Sequence, residues 1–361
     1  MIRRLSATGG AGAAAARILA AVVLPLLLVT ACSSERLVPD AVPAGAHPGG
    51  QGDGPEESEE SEPGAPEGPA SYDAALLRTP QGRMIGVASE GGPGDPAPVD
   101  AFAAKTGRKP DLREYYLLWG AAFDPAGNAA LWAAGQVPLI SWVPGETPLA
   151  AIADGDQDDY LAEFADRVAS YGGPLAIALA PEMNSAWNPW GPGRATAADF
   201  VRAWRHVHGL FADHGVSNVL WVWSPHVSDQ HSSVGSRPYY PGDAYTDWVG
   251  MVGYYGPEDG SAYGSLFAPM ARELRGFTRK PLVISETGVA EGPHKARQIA
   301  DLFKGAAATE GLVGLVWFDL RKDWPGSAYR TDWRVDSSAA AAAAAVAAIG
   351  AHRFGHPAPR G

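Results

Sequence analysis

The sequence predicts an α/β protein: a (β/α)8 TIM barrel preceded by a signal peptide and a disordered linker. After residue 76, eight short and nearly continuous apolar runs alternate with longer segments of helical periodicity. Continuous apolar runs are typical of parallel strands that are covered on both faces. An open doubly wound sheet is the alternative, but no Gly-rich phosphate-binding loop follows the first run. We therefore expect a closed barrel.

The apolar runs define the predicted strands, in chain order: Met84–Ala88, Tyr115–Trp119, Val137–Trp142, Leu175–Leu179, Val219–Trp223, Val249–Tyr254, Leu282–Ser285 and Val313–Phe318. In barrels of this kind the reactive side chains come from the positions where strands end and loops begin. The residues that follow each run are therefore the first candidates for a site.

Several segments between the strands have clear helix signals. Thr196 and Asp199 have the spacing of a capping box, and apolar residues then recur at helical intervals. A second helix is predicted by an acidic start and a stripe made of Tyr160, Phe164, Val168 and Tyr171. The Ala-rich stretch 337–349 could be a low-complexity tail, but Ser337 or Ser338 as N-cap and Gly350 as stop favour a last packed helix.

The N-terminus has the pattern of an export signal. Arginines precede an apolar run over 18–29, which is shorter than the roughly 20 residues that span a bilayer. The run ends in Val29-Thr30-Ala31-Cys32, which resembles a bacterial lipoprotein box, and Cys32 is the only cysteine of the chain. An uncleaved anchor or an ordinary signal peptide are alternatives. We expect a signal peptide over 1–31, lipidation at Cys32, and anchoring to the outer face of the cell membrane.

The composition then divides the rest of the chain. Residues 32–70 are rich in Pro, Gly and acidic side chains and poor in large apolar ones, which is typical of a disordered tether. Residues 71–352 form the predicted barrel domain, and 353–361 a short C-terminal tail.

Charge and cysteine content exclude several functions. The formal net charge is −12, whereas nucleic-acid or anionic-membrane surfaces require a basic face. A single cysteine cannot form an internal disulfide or a thiolate metal cluster. We expect no nucleic-acid partner, contact with the membrane through the lipid anchor only, and a monomer. Nothing in the sequence calls for a metal or an organic cofactor.

Two glutamates follow predicted strands. Glu182 comes shortly after Leu175–Leu179, and Glu286 comes directly after Leu282–Ser285. Two carboxyl groups at one face of a barrel can flank a glycosidic bond, one protonating the leaving oxygen while the other attacks the anomeric carbon. A strand-end Glu can also pair with a basic neighbour or cap a helix. The pair is therefore a candidate catalytic site.

Aromatic residues accompany these carboxylates. Flat rings stack on sugar rings, whose C–H faces are apolar and whose edges are polar. A single aromatic residue in a barrel strand is more often part of the core, but seven lie at or just beyond predicted strand ends: Trp142, Trp187, Trp190, Trp223, Tyr254, Tyr255 and Trp317. A polysaccharide is therefore the expected substrate.

The ordered motifs resemble glycoside hydrolase family 26, retaining β-glycanases best known as β-mannanases. The resemblance covers residues 83–351 and rests on Glu182-Met183-Asn184 with Trp187 and Trp190, Trp221-Val222-Trp223-Ser224-Pro225, Gly250-Met251-Val252-Gly253-Tyr254, Ser285-Glu286-Thr287-Gly288, and Asp332-Trp333-Arg334. It implies a retaining hydrolase in which Glu182 is the acid/base, Glu286 the nucleophile and Tyr254 the residue that orients the nucleophile.

The strand-end positions and the resemblance together give the expected substrate contacts, and the resemblance has three departures. Asn184, Trp187, Trp190, Trp142, Trp223, His226, Tyr254 and Trp317 are the expected substrate-binding residues. Where the family usually has His, Arg and Asn, this chain has Pro181, Ala178 and His226, which makes mannan less favoured as the substrate. A non-catalytic glycan-binding lipoprotein and a structural cell-envelope protein remain as alternatives to an endo-acting hydrolase of mannan-like, mixed-linkage or exopolysaccharide glycans.

Overall fold

Eight parallel strands close into a barrel in the computed structural model, which describes residues 75–228, 234–257, 260–323 and 330–355. The strands are Met84–Ala88 (β1), Leu112–Leu118 (β2), Val137–Val143 (β3), Leu175–Leu179 (β4), Val219–Trp223 (β5), Trp248–Tyr255 (β6), Leu282–Val289 (β7) and Leu312–Phe318 (β8). β1 pairs with β2 on one side and with β8 on the other, so the sheet has no open edge. The predicted (β/α)8 barrel is confirmed.

Helices connect most of the strands and form an outer layer. They are Ala75–Arg78 (α1), Ala97–Thr106 (α2), Pro125–Ala133 (α3), Leu149–Ala153 (α4), Asp158–Tyr171 (α5), Ala197–Asp213 (α6), Tyr263–Arg275 (α7), Lys295–Ala308 (α8) and Ala339–Ala351 (α9). Between β5 and β6 the described residues include only two short 3₁₀ helices, Arg237–Tyr239 and Asp243–Tyr245. The connection between β5 and β6 therefore departs from the regular strand–helix alternation.

The helix ends follow from local hydrogen bonding. The Thr196 hydroxyl accepts from the backbone N–H of Asp199, and the Asp199 carboxylate accepts from the backbone N–H of Thr196, so the capping box of α6 is present. Ser338 caps α9 in the same way. That helix includes Gly350 and ends at Ala351, so the predicted stop at Gly350 was wrong by one residue; the C-cap is His352.

Two apolar layers build the core. Inside the barrel, one buried cluster combines small residues such as Ala176 and Ala178 with larger ones such as Trp248 and Leu220. Between the strands and the helices a second cluster contains most of the large aromatic side chains. In a strand the side chains alternate between these layers, and this alternation decides which residues reach the mouth of the barrel.

A short antiparallel hairpin follows β8 and consists of Arg321–Asp323 (β9) and Arg330–Asp332 (β10). No helix in the described part of the chain is long and apolar enough to cross a lipid bilayer. The predicted signal peptide, Cys32, the predicted linker over 32–70 and residues 356–361 of the predicted tail lie outside the described residues.

Candidate active site

The two glutamates predicted from the sequence come together at the mouth of the barrel. Glu182 follows β4 by three residues, and Glu286 lies inside β7. The charge of Glu182 acts on Glu286 and raises its pKa, so the two carboxyl groups share one electrostatic environment. The strand containing Glu286 extends four residues beyond the predicted end at Ser285.

The loop that carries Glu182 has a strained backbone. Ala180 and Glu182, on either side of Pro181, have φ angles of 46° and 54°, in the left-handed region where non-glycine residues cost about 1 kcal/mol or more. The backbone N–H of Glu182 donates to the carbonyl of Ser224 at 2.7 Å. The loop is thereby fixed to the end of β5, and the backbone determines the direction of the carboxyl group.

A β-bulge aims Glu286 into the barrel mouth. The register of β7 shifts against β6 between Gly250 and Val252, and against β8 between Ile284 and Thr287. A bulge inserts an extra residue, which redirects the side chains beyond it. Glu286 therefore reaches the site from within a strand, which is a more rigid support than a loop.

Two tyrosine hydroxyls fix the carboxylate of Glu286. Tyr116 of β2 donates to Oε2, and Tyr254 of β6 donates to Oε1. Each oxygen therefore has a donor from a different strand. Such hydrogen bonds stabilise the ionised form and hold its orientation.

The protonation of Glu286 reflects opposing influences. Burial raises its pKa, the negative charge of Glu182 raises it further, and the Tyr116 hydrogen bond lowers it, with a resulting pKa of about 7. Two acids in one enclosed site lose their protons in separate steps that belong to the pair. Glu286 is therefore harder to ionise than an ordinary glutamate, and the charge of Glu182 is part of the cause.

His226 and Asn184 lie next to Glu182. The imidazole Nε2 of His226 is 3.7 Å from Oε1 of Glu182. Asn184 is fully buried; its side-chain amide donates to the carbonyl of His226, and its amide oxygen accepts from the backbone N–H of His226. Asn184 therefore holds the His226 backbone in place instead of lining the mouth.

The two tryptophans after Glu182 have different surroundings. Trp187 is partly exposed, and its ring meets His226 edge-on at a centroid distance of 5.0 Å. Trp190 is buried, and its indole N–H donates to the carbonyl of Pro181 at 2.8 Å. Trp187 is therefore positioned to contact substrate, whereas Trp190 braces the strained loop.

Tyr254 is positioned by an aromatic cluster above the barrel. Its ring contacts Trp333 and Phe318 at centroid distances of 5.5 Å and 5.7 Å. Gly288 permits the close approach of Trp333, since a Cβ at residue 288 would lie 2.8 Å from the indole Cδ1. The indole N–H of Trp317 donates to the Trp333 carbonyl at 2.9 Å, so Trp317 supports this cluster from below.

Trp142, Trp223 and Trp317 lie in the outer core and not at the mouth. Trp142 is completely buried and stacks on both Trp119 and Phe164. Trp223 is also completely buried. All three belong to the cluster between the strands and the helices. We therefore do not include them among the proposed substrate contacts.

Three residues near Glu286 were not predicted from the sequence. Tyr116 lies in a predicted strand, and the same signal that selected Tyr254 could have selected it. Glu114, two residues earlier on β2, is buried and accepts a hydrogen bond from Ser141 at 2.6 Å; burial and then the charge of Glu286 raise its pKa well above the usual range. The positive charge of Lys322, on the hairpin after β8, lowers the pKa of Glu286.

Replacing Tyr116 with phenylalanine should move the acid limb of activity to higher pH. The hydroxyl stabilises the ionised form of Glu286, so its removal raises the pKa of that carboxyl. A nucleophilic carboxylate, the role predicted for Glu286 from the sequence, acts in its ionised form, so kcat/KM should fall by about tenfold or more below pH 6 and by less at pH 8. A pH profile measures this, and an equal loss at both pH values would contradict the role of the hydrogen bond.

Substitutions of Trp142 and Trp187 distinguish a tryptophan of the core from one that contacts substrate. Trp142→Phe should lower the free energy of unfolding by about 2 kcal/mol, because it removes ring atoms from a packed stack, and should leave KM within about twofold. Trp187→Phe should do the reverse, raising KM with little change in melting temperature. Calorimetry and Michaelis kinetics on both variants test this; a raised KM for Trp142→Phe would place that ring in the cleft.

Among the residues that the structure describes, no group of three or more His, Cys, Asp or Glu side chains is arranged to hold a metal ion.

Comparisons with known proteins agree with this architecture. Residues 155–301 match the family model described as glycosyl hydrolase family 26. Endoglucanase H of Acetivibrio thermocellus is 29% identical over 267 residues, which are 70% of this chain and 29% of the relative. The chain thus spans less than a third of the length of that relative.

Two solved structures have the same fold. GH26C from Muricauda sp. superposes with a TM-score of 0.55 at 16% identity, covering 77% of this chain and 88% of the other. The Bacillus subtilis mannanase man26 superposes with a TM-score of 0.51 at 16% identity, covering 67% and 82%. At such identities the likeness concerns the fold alone. The segment that matches the family model makes up less than half of the chain.

Proposed function

We propose that this chain is a family 26 glycoside hydrolase that cleaves internal β-linkages of a polysaccharide with retention of configuration. The observation that carries the proposal is the unequal setting of two neighbouring carboxyl groups. Glu286 accepts a hydrogen bond from a tyrosine on each oxygen, which favours its ionised form. Glu182 lies beside it with a histidine as neighbour. This setting gives the pair one nucleophile and one acid.

The reaction then has two steps. In the first, a carboxylate oxygen of Glu286 attacks the anomeric carbon, the glycosidic C–O bond breaks with its electron pair on the leaving oxygen, and Glu182 gives that oxygen its proton. In the second, Glu182 takes a proton from water while the water oxygen bonds to the anomeric carbon and releases Glu286. Tyr116 and Tyr254 hold the carboxylate of Glu286 in a fixed direction, which lowers the entropic cost of reaching the transition state.

We propose a β-glucan as the substrate class. The relative that is 29% identical to this chain is named Endoglucanase H, whereas the likeness to a mannanase is one of fold. Ala178 is buried inside the barrel, so this position supplies no cation to the mouth, and Pro181 supplies no side-chain hydrogen bond. Both departures from the family pattern leave the sugar hydroxyls fewer charged partners, which favours a substrate different from that of the typical mannanase.

The test is hydrolysis by the purified chain of mixed-linkage β-glucan, carboxymethyl cellulose, mannan and xylan, with proton NMR of the first product formed. We expect a falling viscosity on a glucan and a β-anomer that appears before mutarotation. An initial α-anomer would overturn retention. Hydrolysis of mannan alone would overturn the glucan assignment, and binding to a glycan without any product would support the non-catalytic alternative.

We also propose that the chain is a monomeric lipoprotein, attached through Cys32 to the outer face of the cell membrane. Residues 32–70 would then link the barrel domain to the lipid. The support is the sequence pattern that ends at Cys32. Metabolic labelling with a fatty acid tests the attachment, with Cys32→Ser as the unlabelled control. Label that persists in Cys32→Ser would contradict it.

A further inference from the structure

The imidazole of His226 is the titratable side chain that lies beside Glu182. It is only 5% exposed, and its Nε2 is 3.7 Å from Oε1 of Glu182. His226 reaches this place from the segment after β5 and pairs as an isolated bridge with Val252 of β6. A distance of 3.7 Å is slightly longer than a hydrogen bond, and such contacts commonly shorten when substrate encloses a site.

The hydrogen bond on the other ring nitrogen determines the tautomer. Nδ1 of His226 is 2.7 Å from the carbonyl oxygen of Val227. A carbonyl oxygen can only accept, so Nδ1 carries the proton of the neutral ring. In the neutral ring the lone pair therefore belongs to Nε2, the nitrogen that lies 3.7 Å from Oε1 of Glu182. A protonated Glu182 can donate to this nitrogen, and an ionised Glu182 can accept from it once the ring is protonated.

The loop that carries Glu182 is linked by hydrogen bonds to the segment that carries His226. Asn184 lies two residues after Glu182 and forms two hydrogen bonds with the backbone of His226, at 2.9 Å and 2.8 Å. Trp187, from the same loop, packs edge-on against the imidazole. The segment that carries the acid thus also holds its neighbour, which is an arrangement that maintains the distance between them.

We propose that Glu182 and His226 hold one proton between them, with His226 as the positioning residue that keeps this proton at the acid/base. The inference rests on the proposed hydrolase function and deepens it. In the first reaction step the pair gives its proton to the leaving oxygen and becomes a carboxylate beside a neutral imidazole. In the second step the pair regains one proton from the attacking water, so the proton count balances over the cycle.

The charges around the imidazole set the sign of the expected effects. Of the described residues, the carboxyl groups of Glu182 after β4 and Glu286 in β7 interact with it electrostatically. The positive charge of Lys322 acts on Glu286 as well, and the buried carboxyl of Glu114 interacts with Glu286 and Glu182. A proton on His226 is attracted to both catalytic carboxylates. The ring therefore extends to higher pH the range in which Glu182 and His226 together hold a proton.

The kinetic test uses His226→Gln in the purified chain. Glutamine places an amide near the position of Nε2 but cannot bind a proton at these pH values. In the pH profile of kcat/KM on the glycan, we expect the alkaline limb to move to lower pH by about half a unit or more, because the pair loses one of its two proton sites. The acid limb should move to higher pH, since ionised Glu286 loses a cationic neighbour.

A purely structural role predicts a different outcome. It would lower the whole profile and leave both limbs in place, which would overturn the proposal. His226→Asn is the matched control, because its amide can still donate to Val227 while nothing remains at Nε2; its limbs should move as those of His226→Gln do. With a 2,4-dinitrophenyl β-cellobioside, whose leaving group requires no proton, the shift of the alkaline limb should disappear. Its persistence would also overturn the proposal.

A titration that requires no turnover separates this proposal from the proposed function. In ¹⁵N-correlated NMR spectra, the pKa of His226 should be lower in Glu182→Gln than in the wild type by about half a unit or more. His208 on α6, whose pKa burial lowers, should titrate identically in both proteins and serves as internal control. Equal titration of His226 in the two proteins overturns the shared proton. Absence of glycan hydrolysis by the wild type overturns the hydrolase function instead.

Discussion

Replacing Glu286 with alanine should lower kcat/KM on the glycan by about 10⁴-fold or more. No oxygen would then remain to bond to the anomeric carbon, and the hydroxyls of Tyr116 and Tyr254 would lose their common acceptor. Initial rates measured over a range of substrate concentrations check this. Glu163→Gln is the control, because Glu163 is an exposed carboxylate on α5 whose ion pair is with Arg167, and its rates should equal those of the wild type.

Covalent trapping tests the identity of the nucleophile independently of rates. A 2-deoxy-2-fluoro glycoside with a dinitrophenolate leaving group forms the glycosyl-enzyme but slows its hydrolysis. The added mass should appear on the peptide that contains Glu286. Glu114 is the informative competitor, since it is a third carboxyl near the pair, and burial raises its pKa well above the usual range. Label on Glu114 or on Glu182 would contradict the assignment.

The barrel itself was predictable because its signals are local. Most strands coincide with a separate apolar run, and Thr196 and Asp199 specify the start of α6 through two hydrogen bonds within one turn. The irregular connection between β5 and β6 was not predictable in this way, since its described residues form two short 3₁₀ helices and no α-helix. Local signals thus identify helices and strands that are present, whereas the replacement of an expected helix depends on the packing of the whole chain.

The candidate site was predictable only in part. The residues that were assigned wrongly or overlooked depend on which alternate side chains of a strand point into the barrel. On β3, Ser141 points into the barrel toward Glu114, while its neighbour Trp142 points outward into the helix layer. Because both faces of a barrel strand are covered, the sequence pattern does not reveal which parity is inward. The bulge in β7 shifts that parity once more at Glu286, and it depends on register with the neighbouring strands.

Replacing Glu182 with alanine should produce a loss that depends on the leaving group. On the polysaccharide, kcat/KM should fall by about 10³-fold, because a sugar hydroxyl departs slowly without a proton. On a dinitrophenyl glycoside the fall should stay within about tenfold, since dinitrophenolate leaves unprotonated. Both substrates are measured with the same enzyme preparation. Equal losses on both would show that Glu182 acts on something other than proton transfer to the leaving group.

Added azide then distinguishes the two carboxyl groups by the anomer that forms. In Glu182→Ala, azide can attack the glycosyl-enzyme without a base, because it carries no proton to remove; turnover should rise, and the product should be a β-glycosyl azide. In Glu286→Ala, azide can only replace the missing carboxylate and attack the substrate directly, which gives an α-glycosyl azide. Because both variants face the same anomeric carbon from opposite sides, exchanged products would require that the two roles be reversed. The absence of any azide product from either variant, with both proteins folded, would mean that neither side chain faces that carbon.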